Sequence, residues 1–257
     1  MCLDQLLVDL ADPQQIASIT LLSAVSLASG LKGEIEPLLD QGLVLNMGRA
    51  EEVLPLQPDL VLVDFFSAQP TATVLRRLGY RVEAFAFATT LDDVVATLDW
   101  MGGLLGQEAR AEAEVLRFEA ERAAILAASQ ETGPPPSLAI LTPGLRLQGR
   151  ETLLGDAAAL AGWRNKAEDW GVETFGALSL ETLITDPPDA LVLALDQDTP
   201  ASQQVVLLDH PALTALADDL PVMQLSSDTW VCGTRSILQA ARSLLDLRAT
   251  LDAKGQS

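Results

Sequence analysis

The chain has 257 residues, of which 49% are hydrophobic and only 4% aromatic, so its core must consist mostly of Leu, Val and Ala. This composition is too apolar for a disordered chain and suffices for one large domain or for two lobes. The formal net charge of −20 argues against nucleic-acid binding, because little here would neutralise phosphates.

The first 90 residues alternate between predicted helices and predicted strands. Strands are expected at residues 16–20, 43–45, 60–63 and 80–87, and helices at residues 3–10 and 70–78. Such an alternation predicts a parallel sheet covered by helices.

The segment from Arg49 to Phe66, RAEEVLPLQPDLVLVDFF, predicts a short helix, a turn and a buried strand. Pro58 cannot continue a helix, because it lacks a backbone N–H and biases the preceding residue away from helical angles. The apolar run at residues 60–63 is typical of a parallel strand covered on both faces. Phe65 and Phe66 lie just past its carboxyl end, where open α/β sheets bind ligands.

A long helix separates the two halves of the chain. No Gly or Pro interrupts residues 108–128, and a helix of this length would extend roughly 30 Å. The sequence GPPP at residues 133–136 ends it, and the alternation then resumes. We therefore predict two Rossmann-like α/β lobes, residues 1–107 and 132–257, joined by a single backbone helix at residues 108–131.

The two halves share a recurring segment. SLETLITDPPDALVLAL at residues 179–195 repeats the order found in AEEVLPLQPDLVLVDFF at residues 50–66. Each contains a glutamate, a helical turn, a proline, an aspartate and a buried strand. An internal duplication of architecture is the simplest interpretation.

The sequence offers little catalytic chemistry. Its one histidine, His210, precedes Pro211 at the predicted start of a helix, and no nucleophile-elbow, metalloprotease or phosphate-loop motif occurs. Carboxylates are numerous, but no pair is singled out for acid–base work. We predict that the protein is not an enzyme, and we assign no catalytic or metal-ligating residue.

The two cysteines, Cys2 and Cys232, leave three interpretations open. They are reduced buried thiols in a cytosolic protein, a disulfide in an oxidising compartment, or thiolate ligands of a metal centre. The disulfide is our candidate.

No secretory signal or membrane-spanning segment is recognisable, and the helical pattern starts directly at Met1-Cys2. We expect that a leader peptide is missing from this sequence, and a first strand could be missing with it, either because the chain is trimmed or because its start is mis-assigned.

Several segments together resemble a known family over almost the whole chain. In chain order they are CLDQLLVDLADPQQIASIT, the Arg49–Phe66 segment, LRRLGYRVEAF, LDDVVATLDWMGGLLGQEARAEA, GRETLLGDAAALAGWRN, LSLETLITDPPDALVL, HPAL and WVCGT. This order and spacing resembles the periplasmic substrate-binding proteins of ABC importers, in the class for cobalamin, haem and iron–siderophore complexes.

The resemblance implies two α/β lobes, a backbone helix and a ligand cleft between the lobes. It also implies a periplasmic monomer that delivers a metal chelate to an ABC permease and its ATPase at the inner membrane. A cobalamin-type corrinoid is the first expectation for this ligand and a ferric siderophore the second; no covalent cofactor is expected. In cobalamin-binding members one glutamate on each lobe docks onto permease arginines, and the matching positions are Glu51 and Glu181. Exposed glutamates at helix starts are also ordinary, because the helix dipole stabilises them.

Ligand-binding residues are expected at strand ends. The candidates are Asn46, Phe65 and Phe66 in the first lobe and Arg146, Trp163, Trp170 and Trp230 in the second. Trp230 matches a cleft position of the family, and Arg146 precedes a segment that matches a cleft-lining loop. Aromatic rings suit a flat macrocycle, and arginine suits its carboxylates or amides. Alternatively, Trp163 and Trp170 pack in the core or on a lobe surface.

One departure from the family bears on the ligand. No His, Tyr or second Met is placed to ligate haem iron or a bare metal ion, and Tyr80 is the only tyrosine. This favours an intact chelate. The alternative function is a cytosolic enzyme or cofactor-insertion protein on the same two-lobe fold, and a third possibility is an interaction module without a small-molecule ligand.

Overall fold

The computed structural model describes residues 1–26, 28–31, 34–64, 69–130, 134–195 and 220–255, with residues 210, 211, 213, 215 and 216. The chain divides into two compact units. Unit 1 comprises Met1–Ala88 and Val94–Val115, and unit 2 comprises Thr89–Asp93 and Leu116–Ser257.

Unit 1 contains two pairs of parallel strands. Strand β1 (Ser18–Thr20) pairs with β2 (Val44–Asn46), and β3 (Val61–Asp64) pairs with β4 (Val82–Phe85). Its helices are α1 (Cys2–Leu10), α2 (Leu21–Val25), α3 (Glu36–Asp40), α4 (Ala50–Val53) and α5 (Gln69–Arg77). Separate apolar clusters form around Ile19 of β1 and around Val63 of β3, the second including Leu75 of α5.

Helices α6 (Leu91–Leu105) and α7 (Glu108–Gln130) each contribute residues to both units. The start of α7 is fixed within unit 1 because Arg110 donates to the Leu10 carbonyl (2.6 Å) and pairs with Asp12 (2.7 Å). Helix α7 has nearly the bounds predicted for a connecting helix at residues 108–131, but the units divide inside it, after Val115.

Unit 2 is built on a larger sheet. The described strands follow the order β10 (Val222–Leu225), β9 (Ala190–Ala194), β5 (Ser137–Thr142), β6 (Arg146–Gln148) and β8 (Phe175–Ala177), while β7 (Arg164–Asn165) also pairs with β5. The remaining helices are α8 (Leu153–Leu160), α9 (Leu180–Thr185) and α10 (Ile237–Gly255). Every residue of β5 is buried, as expected for a strand with neighbours on both sides.

The starts of β5 and β9 are joined by reciprocal hydrogen bonds. The Asp189 carboxylate accepts from the Ser137 hydroxyl and backbone N–H, both at 2.7 Å. In return the Asp189 N–H donates to the Ser137 hydroxyl at 3.0 Å. We call this arrangement the Ser137–Asp189 clamp.

The predicted fold class is confirmed, since both units are α/β and the parallel pairs lie where the alternation predicted them. Sequence reasoning missed β6 and β8, which run antiparallel to each other. Each has three residues, which is too short to give a recognisable alternation. It also missed α2, a helix of five residues that directly follows β1.

Candidate functional site

The Arg49–Phe66 segment folds largely as its sequence predicts. Helix α4 is stabilised at its start by Glu52, whose carboxylate accepts the N–H groups of Met47 (2.7 Å) and Arg49 (3.3 Å). A short 3-10 turn, Leu54–Leu56, then leads into β3 through Gln57, which has a φ of 47°. Phe65 and Phe66, the two ligand candidates of this segment, lie outside the described residues.

Asn46, a predicted ligand residue, makes several hydrogen bonds within unit 1. Its side-chain amide donates to the Ser18 hydroxyl and to the Ile19 carbonyl (3.1 Å), and its oxygen accepts the Gly48 N–H (2.8 Å). These bonds hold β2 against β1 and fix the following turn. They also fix the backbone next to Met47, whose side chain is exposed.

Trp163 lies in the core of unit 2. The side chain is only 4% exposed, and its indole N–H donates to the Leu244 carbonyl of α10 at 2.8 Å. Both its apolar surface and its donor are thus used inside unit 2. These contacts favour the alternative in which Trp163 packs in the core.

Trp170 belongs to a charged cluster in unit 2. Its indole N–H donates to Asp186 (3.0 Å), and the Lys166 ammonium lies 5.7 Å from its ring centre. Lys166 also pairs with Asp186 (2.7 Å) and Asp169 (3.0 Å). Burial acts to lower the pKa of Lys166, but these hydrogen-bonded carboxylates outweigh it and leave the pKa raised. The described contacts make Trp170 part of a stabilising network.

Arg146 and Phe175 lie on neighbouring strands and share one face. Arg146 of β6 is in register with Ala177 of β8, and Gln148 with Phe175. Arg146 is exposed, and within the described residues its guanidinium makes no ion pair or hydrogen bond. Phe175 is 60% exposed. Such diagonal neighbours lie within reach of long side chains, so this face places a cation and an aromatic ring side by side at the surface of unit 2. Sequence reasoning missed Phe175, because it stands in a short polar stretch.

A groove of about 570 Å³ adjoins Phe175 and is also lined by Arg150, Glu168 and Glu173. Here the arginine is already neutralised, because Glu151 (3.2 Å), Glu173 (3.4 Å) and Glu168 (3.9 Å) all lie close to Arg150. Arg150 thus differs from Arg146, which has no described carboxylate beside it.

The turn around Trp230 carries two polar atoms that lack partners. Trp230 follows the 3-10 turn Ser227–Thr229. Its indole Nε1–H and the Oδ1 of Asp228 are both buried, and neither has a hydrogen-bond partner in the described part of the chain. Leaving a buried donor or acceptor unpaired costs about 1–3 kcal/mol, so these two atoms distinguish the turn from the other described turns near the predicted site residues. Nothing in the sequence singles out Asp228, because the SSD sequence at residues 226–228 is typical of an ordinary polar turn.

Glu51 and Glu181 occupy equivalent places. Each is the second residue of its helix, α4 or α9, and each side chain is exposed. Neither carboxylate has an ion pair or hydrogen bond among the described residues. Ser179 begins α9 by accepting the Thr182 N–H (3.0 Å), which leaves Glu181 free to face solvent.

Neither cysteine is free. Cys2 and Cys232 are both buried and both disulfide-bonded.

Among the described residues, no group of three or more His, Cys, Asp or Glu side chains is arranged to hold a metal ion. No helix in the same part of the chain has the length and apolar character needed to cross a membrane.

Comparisons with known proteins converge on one class. A family model described as periplasmic binding protein matches residues 4–218. A cobalamin-binding protein of Halobacterium salinarum is 32% identical over 174 residues, which are 65% of this chain and 47% of that protein. The chain thus spans about half the length of this curated relative.

Two solved structures have a similar fold. A possible iron-binding periplasmic solute-binding protein from Staphylococcus epidermidis superposes with a TM-score of 0.76 and 16% identity, over 96% of this chain and 95% of the other. A periplasmic heme-binding protein from Pseudomonas aeruginosa gives a TM-score of 0.66 and 25% identity, over 98% and 90% of the two chains.

Proposed function

Because the chain belongs to the periplasmic binding protein family, we propose that it is the substrate-binding component of an ABC importer for a metal chelate. It captures the chelate in the periplasm and delivers it to a permease and its ATPase. A cobalamin-type corrinoid is the favoured ligand, and a ferric siderophore is the second candidate. The Halobacterium relative is named a cobalamin-binding protein, which supports a corrinoid as the first candidate.

The observation that carries the ligand assignment is the unpartnered pair at Trp230 and Asp228. The indole N–H needs an acceptor, and the carboxylate needs a donor. Carboxamide side chains, which surround a corrin ring, offer both a C=O acceptor and an N–H donor. An ionised carboxylate, as on haem, offers only acceptors and would repel Asp228. Arg146 and Phe175 supply a further cation and an aromatic surface.

Glu51 and Glu181 are proposed to dock onto arginines of the permease. Both are exposed, both lack described partners, and both occupy the second position of a short helix in echoing segments. Charge pairs of this kind orient the encounter and raise its rate more than they increase the affinity.

We further propose that Cys2 is joined to Cys232, which suits an oxidising compartment. Mass spectrometry of unreduced peptides would identify the linkage.

Thermal unfolding against a ligand panel tests the function. The panel contains cobalamin, cobinamide, haem, and hydroxamate and catecholate ferric siderophores. A ligand that binds only the folded state stabilises it by about 2.7 kcal/mol at a hundredfold excess over its Kd. A shift with a corrinoid supports the proposal, and Trp230→Phe should then weaken binding, because it removes the N–H donor together with the pyrrole part of the ring. No shift with any compound, using the oxidised chain, would favour the enzyme or cofactor-insertion alternative.

The docking proposal has a separate test. Glu51→Ala combined with Glu181→Ala should leave ligand binding unchanged and abolish uptake of labelled ligand by cells that carry the permease. The matched control combines Glu36→Ala with Glu108→Ala, two exposed first-turn glutamates on α3 and α7. Normal uptake by the first double variant would contradict the docking role.

A further inference from the structure

Phe87 is an exposed aromatic residue that the assignments above leave unused. It follows the carboxyl end of β4 and is 43% exposed, although only 4% of the chain is aromatic. Open α/β sheets bind ligands at the carboxyl ends of their strands. An aromatic ring kept partly in water at this position is therefore well placed to contact a ligand.

The ring of Phe87 is held in place by other aromatic side chains. It packs edge-to-face on Phe85, with ring centres 6.1 Å apart at an angle of 79°. Phe85 is only 5% exposed and lies 6.2 Å from Trp100 of α6. Phe87 thus has a buried support. A preoriented ring loses little rotamer freedom when a ligand covers it, which favours binding.

A second exposed apolar side chain lies at the same end of unit 1. Met47 directly follows β2, and its backbone N–H is bound by Glu52. The next residue, Gly48, accepts a hydrogen bond from Thr71 of α5 (2.8 Å). Since α5 follows β3, and β3 pairs with β4 in parallel, the loop after β2 is tied to the same end of the unit as Phe87.

We propose that Phe87, with Met47, forms an apolar contact surface for the face of the chelate, and that Phe87 helps to determine ligand specificity; this rests on the proposed function. A phenyl ring and a thioether favour a flat, polarisable, hydrocarbon-rich face. They offer no charge to a ferric catecholate, which is a trianion and is repelled by a protein of net charge −20. The preferred ligand class is therefore a macrocyclic chelate with an apolar face.

The test compares Kd values measured by quenching of tryptophan fluorescence. Cobalamin and cobinamide are titrated into the wild type, Phe87→Ala, Phe87→Tyr, Met47→Ala and Leu78→Ala. Leu78 is the matched control, because it is an exposed apolar residue of unit 1 that lies past a helix instead of a strand. Phe87→Ala should raise the Kd of both ligands about three- to tenfold and to the same extent, since both present the corrin face. Phe87→Tyr and Leu78→Ala should change little, and Met47→Ala should give a smaller loss than Phe87→Ala.

The outcomes separate this inference from the proposed function. If wild type binds a corrinoid and Phe87→Ala binds it equally well, the inference is overturned and the importer function stands. If wild type binds only a ferric catecholate, the proposed specificity is overturned. If wild type binds none of the panel, the proposed function fails. Melting of each ligand-free variant at the wild-type temperature confirms that Kd changes reflect binding.

Discussion

The two echoing segments of the chain, residues 50–66 and 179–195, look alike in sequence but differ in how deeply their strands are buried. In unit 2, β9 lies between β5 and β10 and is almost entirely buried. In unit 1, β3 pairs with β4 alone among the described strands, and only Val63 of β3 is fully buried. An apolar run therefore predicts a strand, but the number of neighbouring strands decides how much that strand contributes to stability.

The largest expected effect comes from shortening a leucine in each strand. Leu191→Ala removes a side chain that is 1% exposed and should lower the free energy of unfolding by about 3 kcal/mol. Leu62→Ala, at a half-buried position of β3, should cost roughly 1 kcal/mol. Urea denaturation of the two variants measures both values. Equal losses of unfolding free energy in the two variants would contradict the different contributions expected of β9 and β3.

The aspartates of the two segments provide a second contrast. Asp189→Ala breaks the Ser137–Asp189 clamp, and because water can reach the exposed Asp189 position, the cost should be about 1 kcal/mol. Asp59 is exposed and has no described partner, so Asp59→Ala should change stability by less than about 0.5 kcal/mol. The same denaturation experiment tests both. A costly Asp59→Ala would reveal a contact equivalent to the clamp.

The clamp also predicts a pH dependence. Burial acts to raise the pKa of Asp189, but hydrogen bonds from the Ser137 hydroxyl and N–H outweigh it and hold the pKa below its usual range. A group whose pKa is lowered by folding stabilises the protein fully at pH values above its unfolded-state pKa, which is about 3.9 for Asp. This stabilisation is lost as the pH falls through the pKa of the folded state. The difference in unfolding free energy between wild type and Asp189→Ala should therefore be constant near neutral pH and shrink in acid. A difference that grew on acidification would contradict the assigned hydrogen bonds.

The smallest effects are expected at the glutamates, where the two segments are most alike. Glu51→Ala and Glu181→Ala each remove one exposed charge near a helix start, which should cost about 0.3 kcal/mol. Thermal melts of the single variants, at low and at high salt, check the values. A much larger loss at one site would show that its glutamate supports the fold there, which would weaken the case for docking.

Sequence reasoning succeeded where the pattern is local. The apolar runs of β3 and β9 and the uninterrupted helix α7 could be predicted, because periodicity and the positions of Gly and Pro determine them. It could not predict hydrogen bonds between residues that are distant in the chain. Trp163 donates to a carbonyl 81 residues away, and Asn46 donates to a strand 27 residues earlier.

The candidate site shows the same limit. Phe175, Phe87 and Asp228 carry no motif of their own, and their interest comes from exposure or from a missing hydrogen-bond partner. Trp230 could be named in advance because a family resemblance covers its position. Whether its indole N–H had a partner could be learned only from the packing of unit 2.

The Ser137–Asp189 clamp has a consequence for the order of folding. It joins residues 52 positions apart, at the start of the two strands that form the centre of the unit 2 sheet. The chain must close this long loop before β5 and β9 can pair, and closing a longer loop costs more entropy. The strand pairs of unit 1 join segments that are closer in the chain. Pulse-labelling hydrogen exchange during refolding should therefore protect β3 and β4 before β5 and β9, so the more buried sheet would be completed last.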